Sequence, residues 1–87
     1  MANIASQEKR NQRSLREQLE NRRYTSTVKT YFRRLEAAVG ESDAERADSE
    51  LRTLVSTIDH AVKRGALHRN SGARKKARAA KLRAQLG

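Results

Sequence analysis

The sequence predicts an all-α fold, a three-helix bundle with a long first helix whose N-terminal half extends beyond the bundle. The 87 residues contain no proline and four glycines, so few positions interrupt a helix. Apolar residues recur three and four positions apart in two long stretches, and alanines do so in a third. Leu, Ile, Val and Phe together number 15, so the core that these helices share must be small.

The first helix is expected to run from about Ser6 to Val39, and its two halves differ. Its second half carries an apolar face formed by Tyr24, Val28, Tyr31, Phe32, Leu35 and Val39. Continued toward the N terminus, the same face meets charged residues, whereas Leu15 and Leu19 fall on the opposite side. We therefore expect one helical domain, 1–87, with 1–22 as a protruding basic arm and 23–87 as the bundle.

The second helix has clear signals at both ends. Gly40 is expected to end the first helix as a left-handed cap, and Ser42 followed by Glu45 has the spacing of a capping box. Ser42 is therefore the predicted N-cap, and Gly65 the predicted C-cap. The predicted buried stripe between them consists of Ala47, Leu51, Leu54, Val55, Ile58, Ala61 and Val62.

The third helix is predicted from weaker signals. Asn70 or Ser71 is the expected N-cap. Alanines at helical spacing suggest the side that packs on the other helices, and small residues there would allow close approach. The predicted buried stripe consists of Ala73, Ala77, Ala80 and Ala84.

Charge is distributed in three blocks. Residues 1–40 contain 9 Lys or Arg and 4 acids, residues 41–62 contain 2 and 6, and residues 63–87 contain 9 and none. The last block cannot neutralise its own charge, so its cations face solvent counterions or a polyanion. A nucleic acid is the expected partner, because neutralising phosphates releases condensed counterions.

Short runs in the N-terminal half and one long run after residue 57 carry a family resemblance. They are Met1 to Ile4, Ser6, Lys9-Arg10, Ser26, Lys29-Thr30, Arg33-Arg34, the run Ile58 to Asn70, and Ala73 to Arg78. In this order and spacing they resemble the bacterial small (30S) ribosomal subunit protein number twenty family over nearly the whole chain. The chain departs from the family pattern at Ala5, Glu8, Tyr24-Thr25 and Gly72, the last standing where alanine is common.

The resemblance implies a monomeric ribosomal component in the cytoplasm that binds 16S-type small-subunit ribosomal RNA. The implied contacts are with the 5′ domain and the long penultimate stem. The candidate RNA-binding residues are Lys9, Arg10, Arg13, Arg16, Arg22, Arg23, Ser26, Lys29, Arg33, Arg34, Lys63, His68, Arg69, Asn70, Arg74, Lys75, Lys76, Arg78 and Lys81.

The expected mode of recognition is through phosphates and shape. Three aromatic residues are too few for recognition of single strands by stacking, so folded RNA is the expected target. In the third helix, Arg74, Arg78 and Lys81 lie on one side of the alanine stripe and Lys76 and Arg83 on the other. Two RNA segments could therefore be bridged, which would stabilise the RNA fold during subunit assembly.

Other classes of function are less well supported. There is no cysteine, no ligand cluster around His60 or His68, no catalytic constellation and no glycine-rich phosphate loop, so we expect neither an enzyme nor a bound metal, cofactor or small-molecule substrate. A nucleoid-type basic DNA-binding protein is the main alternative, and it would have a β-arm or a dimer seam. A basic helix that docks on a calmodulin-like protein or a membrane ranks last, because the alanine stripe offers little apolar area.

Overall fold

The predicted fold class is confirmed by a computed structural model that describes the backbone of residues 4–87 and the side chains of residues 12–87. Helix α1 spans Ile4–Gly40, α2 spans Ala44–Lys63 and α3 spans Arg69–Ala84, and residues 4–87 contain no strand. Each helix packs against the other two. Asp48 and Asp59 of α2 pair with Arg83 and Lys76 of α3, so these two helices are antiparallel. The late part of α2, at Thr57 and His60, lies beside Tyr24 and Thr27 of α1, so α2 is antiparallel to α1 as well, and α1 and α3 run in the same direction.

The core is small and lies between residue 28 and residue 79. Its buried members are Val28, Phe32, Leu35, Ala38, Ala47, Leu54, Ile58, Ala61 and Ala79. Tyr31, Val39 and Leu51 pack against this core from its edge. The predicted faces of α1 and α2 are thus the buried ones, because both are marked by large aliphatic side chains at helical spacing. Side chains 12–20 of α1 are all exposed.

The left-handed residue that closes α1 lies two residues later than predicted. Gly40 is the last residue of α1, and Ser42 takes the left-handed conformation with a φ of 56°. The amides of Ser42 and Asp43 donate to the carbonyls of Val39 and Ala38, both at 3.0 Å, which is a Schellman motif. The N-cap of α2 is then Asp43, whose carboxylate accepts from the Arg46 amide at 3.1 Å. Ser42 cannot cap α2 because it already closes α1.

The turn between α2 and α3 begins as predicted and ends earlier. Gly65 has a φ of 79°, and its amide donates to the Val62 carbonyl at 3.1 Å. His68, rather than Asn70 or Ser71, is the N-cap of α3, and its Nδ1 accepts from the Asn70 amide at 3.1 Å. An imidazole nitrogen can therefore take the capping role that sequence reasoning gives to an amide or hydroxyl oxygen.

The predicted buried face of α3 is wrong. All four alanines of the predicted stripe are exposed, whereas Gly72 and Ala79 are buried and Leu82 and Leu86 lie partly against the core. Gly72 permits the close approach, because a Cβ atom built there would lie 2.5 Å from Cγ2 of Val62. The helix is thus turned by about 100°, one residue, from the predicted orientation.

Candidate nucleic-acid interface

Two cations of α3 are held by acids of α2. The Lys76 ammonium lies 2.9 Å from the Asp59 carboxylate. Arg83 binds Asp48 with two nitrogens, through Nε to Oδ1 and through Nη2 to Oδ2 at 3.4 Å. The hydrogen bond from Arg83 lowers the pKa of Asp48 and, in return, raises the pKa of Arg83. The side of α3 that faces α2 is therefore neutralised within the chain.

The opposite side of α3 forms a basic groove with α1. Lys29 and Arg33 from α1 meet Lys75 and Arg78 from α3 around a groove of about 300 Å³. These four cations come from segments 42 to 49 residues apart in sequence, and the parallel packing of α1 and α3 brings them together. We call this the α1/α3 groove. Arg74 and Lys81 are exposed on the same side of α3.

Phe32 and Glu36 determine the position of Arg78 in the groove. The Arg78 guanidinium carbon lies 5.1 Å from the centroid of the Phe32 ring, and its Nη2 lies 3.8 Å from Glu36 Oε1. Both side chains of this ion pair are well exposed, so the pair adds little to stability. Sequence reasoning did not single out Glu36, because its partner depends on the register of α3.

The outward half of α1 continues the basic surface toward the N terminus. Its exposed candidate residues are Arg16, Arg22, Arg23, Ser26, Lys29, Arg33 and Arg34. Arg34 stacks over the Tyr31 ring, with its guanidinium carbon 5.2 Å from the ring centroid. Arg13 is exposed on the other half of the helix, one turn from Glu17. The side chains of Lys9 and Arg10 lie outside the described residues.

The remaining candidates surround the start of α3. Lys63, His68, Arg69 and Asn70 are exposed there. His68 has a structural role as the cap of α3, so a contact with RNA would be an additional role. Arg64, which sequence reasoning omitted, is also exposed beside Lys63 and belongs to the same acid-free block. Its position in that block makes Arg64 a further candidate for phosphate contact.

Metal and membrane sites are not found in the part of the chain that the structure describes. No group of three or more His, Cys, Asp or Glu side chains there is arranged to hold a metal ion. Among the described helices, none has both the length and the apolar composition needed to cross a bilayer.

A small all-α fold with its cations gathered along α1 and α3 defines a class, the basic helical proteins suited to binding a polyanion. Residues 2–83 match the family model described as Ribosomal protein S20, so the chain belongs to the ribosomal protein S20 family. This confirms the family expected from the resemblance. Its members are structural, non-enzymatic components of the ribosome.

Individual relatives match over almost their full length. The protein from Corynebacterium efficiens, named Small ribosomal subunit protein bS20, is 40% identical over 87 residues, all of both chains. Proteins of the same name from Acaryochloris marina and Frankia casuarinae are each 42% identical, over 94% and 99% of this chain and 95% and 97% of their own. The similarity therefore extends over both the arm and the bundle sequences.

Proposed function

We propose that the chain is a structural component of the small ribosomal subunit that binds small-subunit ribosomal RNA directly. It would contact phosphates and RNA shape and so stabilise the RNA fold during assembly. Family membership and the names of the relatives support the assignment to the small subunit. The 5′ domain and the penultimate stem are the proposed contacts within that RNA, with the arm, 1–22, and the bundle, 23–87, as the two contacting parts.

The observation that carries the proposal is the one-sided arrangement of charge. Asp48 and Asp59 of α2 neutralise Arg83 and Lys76, whereas the α1/α3 groove collects four cations and one acid, Glu36. A polyanion would therefore dock along α1 and α3, with α2 on the far side. Two cationic helices side by side can contact two phosphate backbones at once, which suits a folded RNA with closely packed strands.

The competing DNA-binding function receives less support. A nucleoid-type protein was expected to have a β-arm or a dimer seam, and residues 4–87 form no strand. Phosphate contacts alone do not separate RNA from DNA, so the choice depends on whether the protein prefers a folded RNA.

The test is binding over a salt series with a charge variant of α3. Arg74→Ala, Arg78→Ala and Lys81→Ala together should reduce the slope of log K against log salt by roughly 2 to 3, at 0.7 to 0.9 per phosphate. Helicity should persist, because alanine is a good helix former. Filter binding would be measured with folded 5′-domain RNA, an unstructured RNA and duplex DNA.

The matched control removes cations from α2. Arg46→Ala with Arg52→Ala lowers the net charge on the side away from the groove, and each change should alter the slope far less than a change in α3. Equal affinity of the unaltered protein for all three polyanions would reject the proposed function. An unchanged slope in the α3 variant would show that these cations face solvent in the complex.

A further inference from the structure

The two large apolar side chains that remain exposed in the described part of the chain lie together on the arm. Leu15 is 60% exposed and Leu19 is 63% exposed, and they are one helical turn apart. They point away from the side of α1 that packs in the bundle, so no rearrangement of α2 or α3 on that side would cover them.

Around these leucines, the acids of α1 lie on the side that faces the bundle and most of the arginines lie on the outward side. With the direction of Leu35 as reference, Glu17 and Glu20 lie within about 60° of the bundle side, and the outward half of α1 between residues 12 and 34 carries no acid. Around the leucines that outward half carries Arg16 and Arg23 on one flank and Arg22 on the other, all exposed. An apolar centre thus lies between two cationic edges.

We propose that this leucine face, defined as Leu15 and Leu19 with their flanking arginines, docks in the shallow groove of an A-form RNA helix. The proposal rests on the proposed function and deepens it, because it assigns to the arm a contact that is not electrostatic. The minor groove of A-form RNA is wide and shallow, exposes riboses and base edges, and is bordered by phosphates. Leucines would cover the riboses, and the arginines would reach the phosphates on either side.

Charge complementarity selects RNA over a second copy of the chain. Two such faces packed together would bring Arg16, Arg22 and Arg23 of one copy against those of the other. Repulsion would oppose that contact, whereas the phosphates of RNA attract the same arginines.

The experiment separates the apolar contribution from the ionic one. Leu15→Ala with Leu19→Ala should weaken binding to folded 5′-domain RNA by about ten- to fifty-fold, as expected for two partly buried leucines. The loss should be the same at every salt concentration, so the slope of log K against log salt should not change. Arg16→Ala with Arg22→Ala should instead reduce that slope by about 1.5.

A matched control preserves the apolar surface. Leu15→Met with Leu19→Met keeps volume and apolar character, so its affinity should stay within about three-fold of the unaltered protein. Duplex DNA is the second control, because it offers no wide, shallow groove lined by riboses. Its minor groove is only about 6 Å wide, and its major groove, which does admit a helix, is about 8.5 Å deep and presents base edges. The alanine variant should bind duplex DNA as the unaltered protein does.

Three results would overturn the leucine contact. They are unchanged RNA affinity in the alanine variant, an equal loss of affinity for duplex DNA, and a dimer in sedimentation that the alanine variant abolishes. These outcomes are distinct from failure of the proposed function, in which the unaltered protein would bind folded RNA no better than the other polyanions.

Discussion

At the end of α1, a serine stands where the backbone favours glycine, and a glycine stands where any residue would fit. Ser42 holds a left-handed φ of 56°, which a side chain disfavours, whereas Gly40 lies inside α1 with no atom within 4 Å of the place a Cβ would take. The glycine therefore lowers helix stability without serving the turn. Both positions are exposed, so neither residue is required by packing.

Replacing Gly40 with alanine and Ser42 with glycine should stabilise the protein. We expect Gly40→Ala to raise the free energy of unfolding by about 0.5 kcal/mol through helix propensity. Ser42→Gly should add about 0.5 to 1 kcal/mol by relieving the left-handed conformation. Denaturant unfolding of each single variant and of the pair would measure both changes. Destabilisation by Gly40→Ala would mean that Gly40, and not Ser42, is the left-handed residue that closes α1, as the sequence predicts.

At the scale of helices, the buried face could be predicted from sequence where large apolar side chains mark it. In α1 and α2 the buried residues include Phe32, Leu35, Leu54 and Ile58, whose size leaves one favourable orientation. In α3 the four alanines each bury little area, so their spacing carried no information on which side faces the core. The orientation depends instead on contacts between helices, at Gly72 and at the two ion pairs with α2.

Gly72 tests the orientation of α3 directly. In the unaltered protein we expect Gly72→Ala to destabilise by about 1 to 2 kcal/mol, because the new methyl group would collide with Val62. With Val62→Ala already present, the same change should instead stabilise by about 0.5 to 1 kcal/mol through helix propensity. A double-mutant cycle measured by thermal unfolding would reveal this reversal of sign. The same effect in both backgrounds would show that α3 does not approach α2 at this point.

The candidate site was predictable in composition but not in arrangement. The acid-free block after residue 62 made Arg74, Lys75 and Arg78 candidates from sequence alone, and the structure places Lys75 and Arg78 in the α1/α3 groove. Which cations share a groove and which are neutralised by α2 requires the packing of three helices. Lys76 shows the difference, because it matches the family pattern and yet lies 2.9 Å from Asp59 in this fold.

The contact between α2 and α3 should give the protein a specific pH dependence. Arg83 holds the pKa of Asp48 below its unfolded value of about 3.9. The contribution of this carboxylate to the free energy of unfolding is therefore fully present above that pH. It is lost as the pH falls through the lower folded pKa. Asp48→Asn should therefore destabilise the protein at pH 6, and the difference from the unaltered protein should shrink below about pH 4.

Urea unfolding between pH 2 and pH 7 would measure this dependence. Arg83→Gln is the matched variant, because it removes the other half of the same pair and should abolish the same pH-dependent part. A constant difference between Asp48→Asn and the unaltered protein across this range would exclude linkage through Asp48.

At the scale of the whole molecule, packing is concentrated in one part of the chain. The buried residues begin at Val28, whereas side chains 12–20 of α1 are exposed, and isolated helices of that length are marginal in water. In the free protein, amides 12–20 should therefore exchange at least about 100-fold faster than amides 28–38. Hydrogen exchange followed by NMR would measure both sets.

Binding of RNA should reduce that difference. Folded 5′-domain RNA should slow exchange at amides 12–20, whereas an RNA that binds the bundle alone would leave them unchanged. Equal protection of both segments in the free protein would contradict the division into an arm and a bundle.

Helix α1 runs without interruption from the arm through the bundle, and the chain has no proline that could bend it. The angle about the helix axis between the leucine face and the α1/α3 groove is therefore fixed. One residue inserted near Asn21 would rotate the arm by about 100° relative to the groove, whereas seven would restore the angle to within about 20° while lengthening the helix by about 10 Å. Angle and distance along α1 can thus be varied independently. If RNA binds as proposed, the length of this one helix would set the spacing between the RNA segment at the leucine face and the one at the groove.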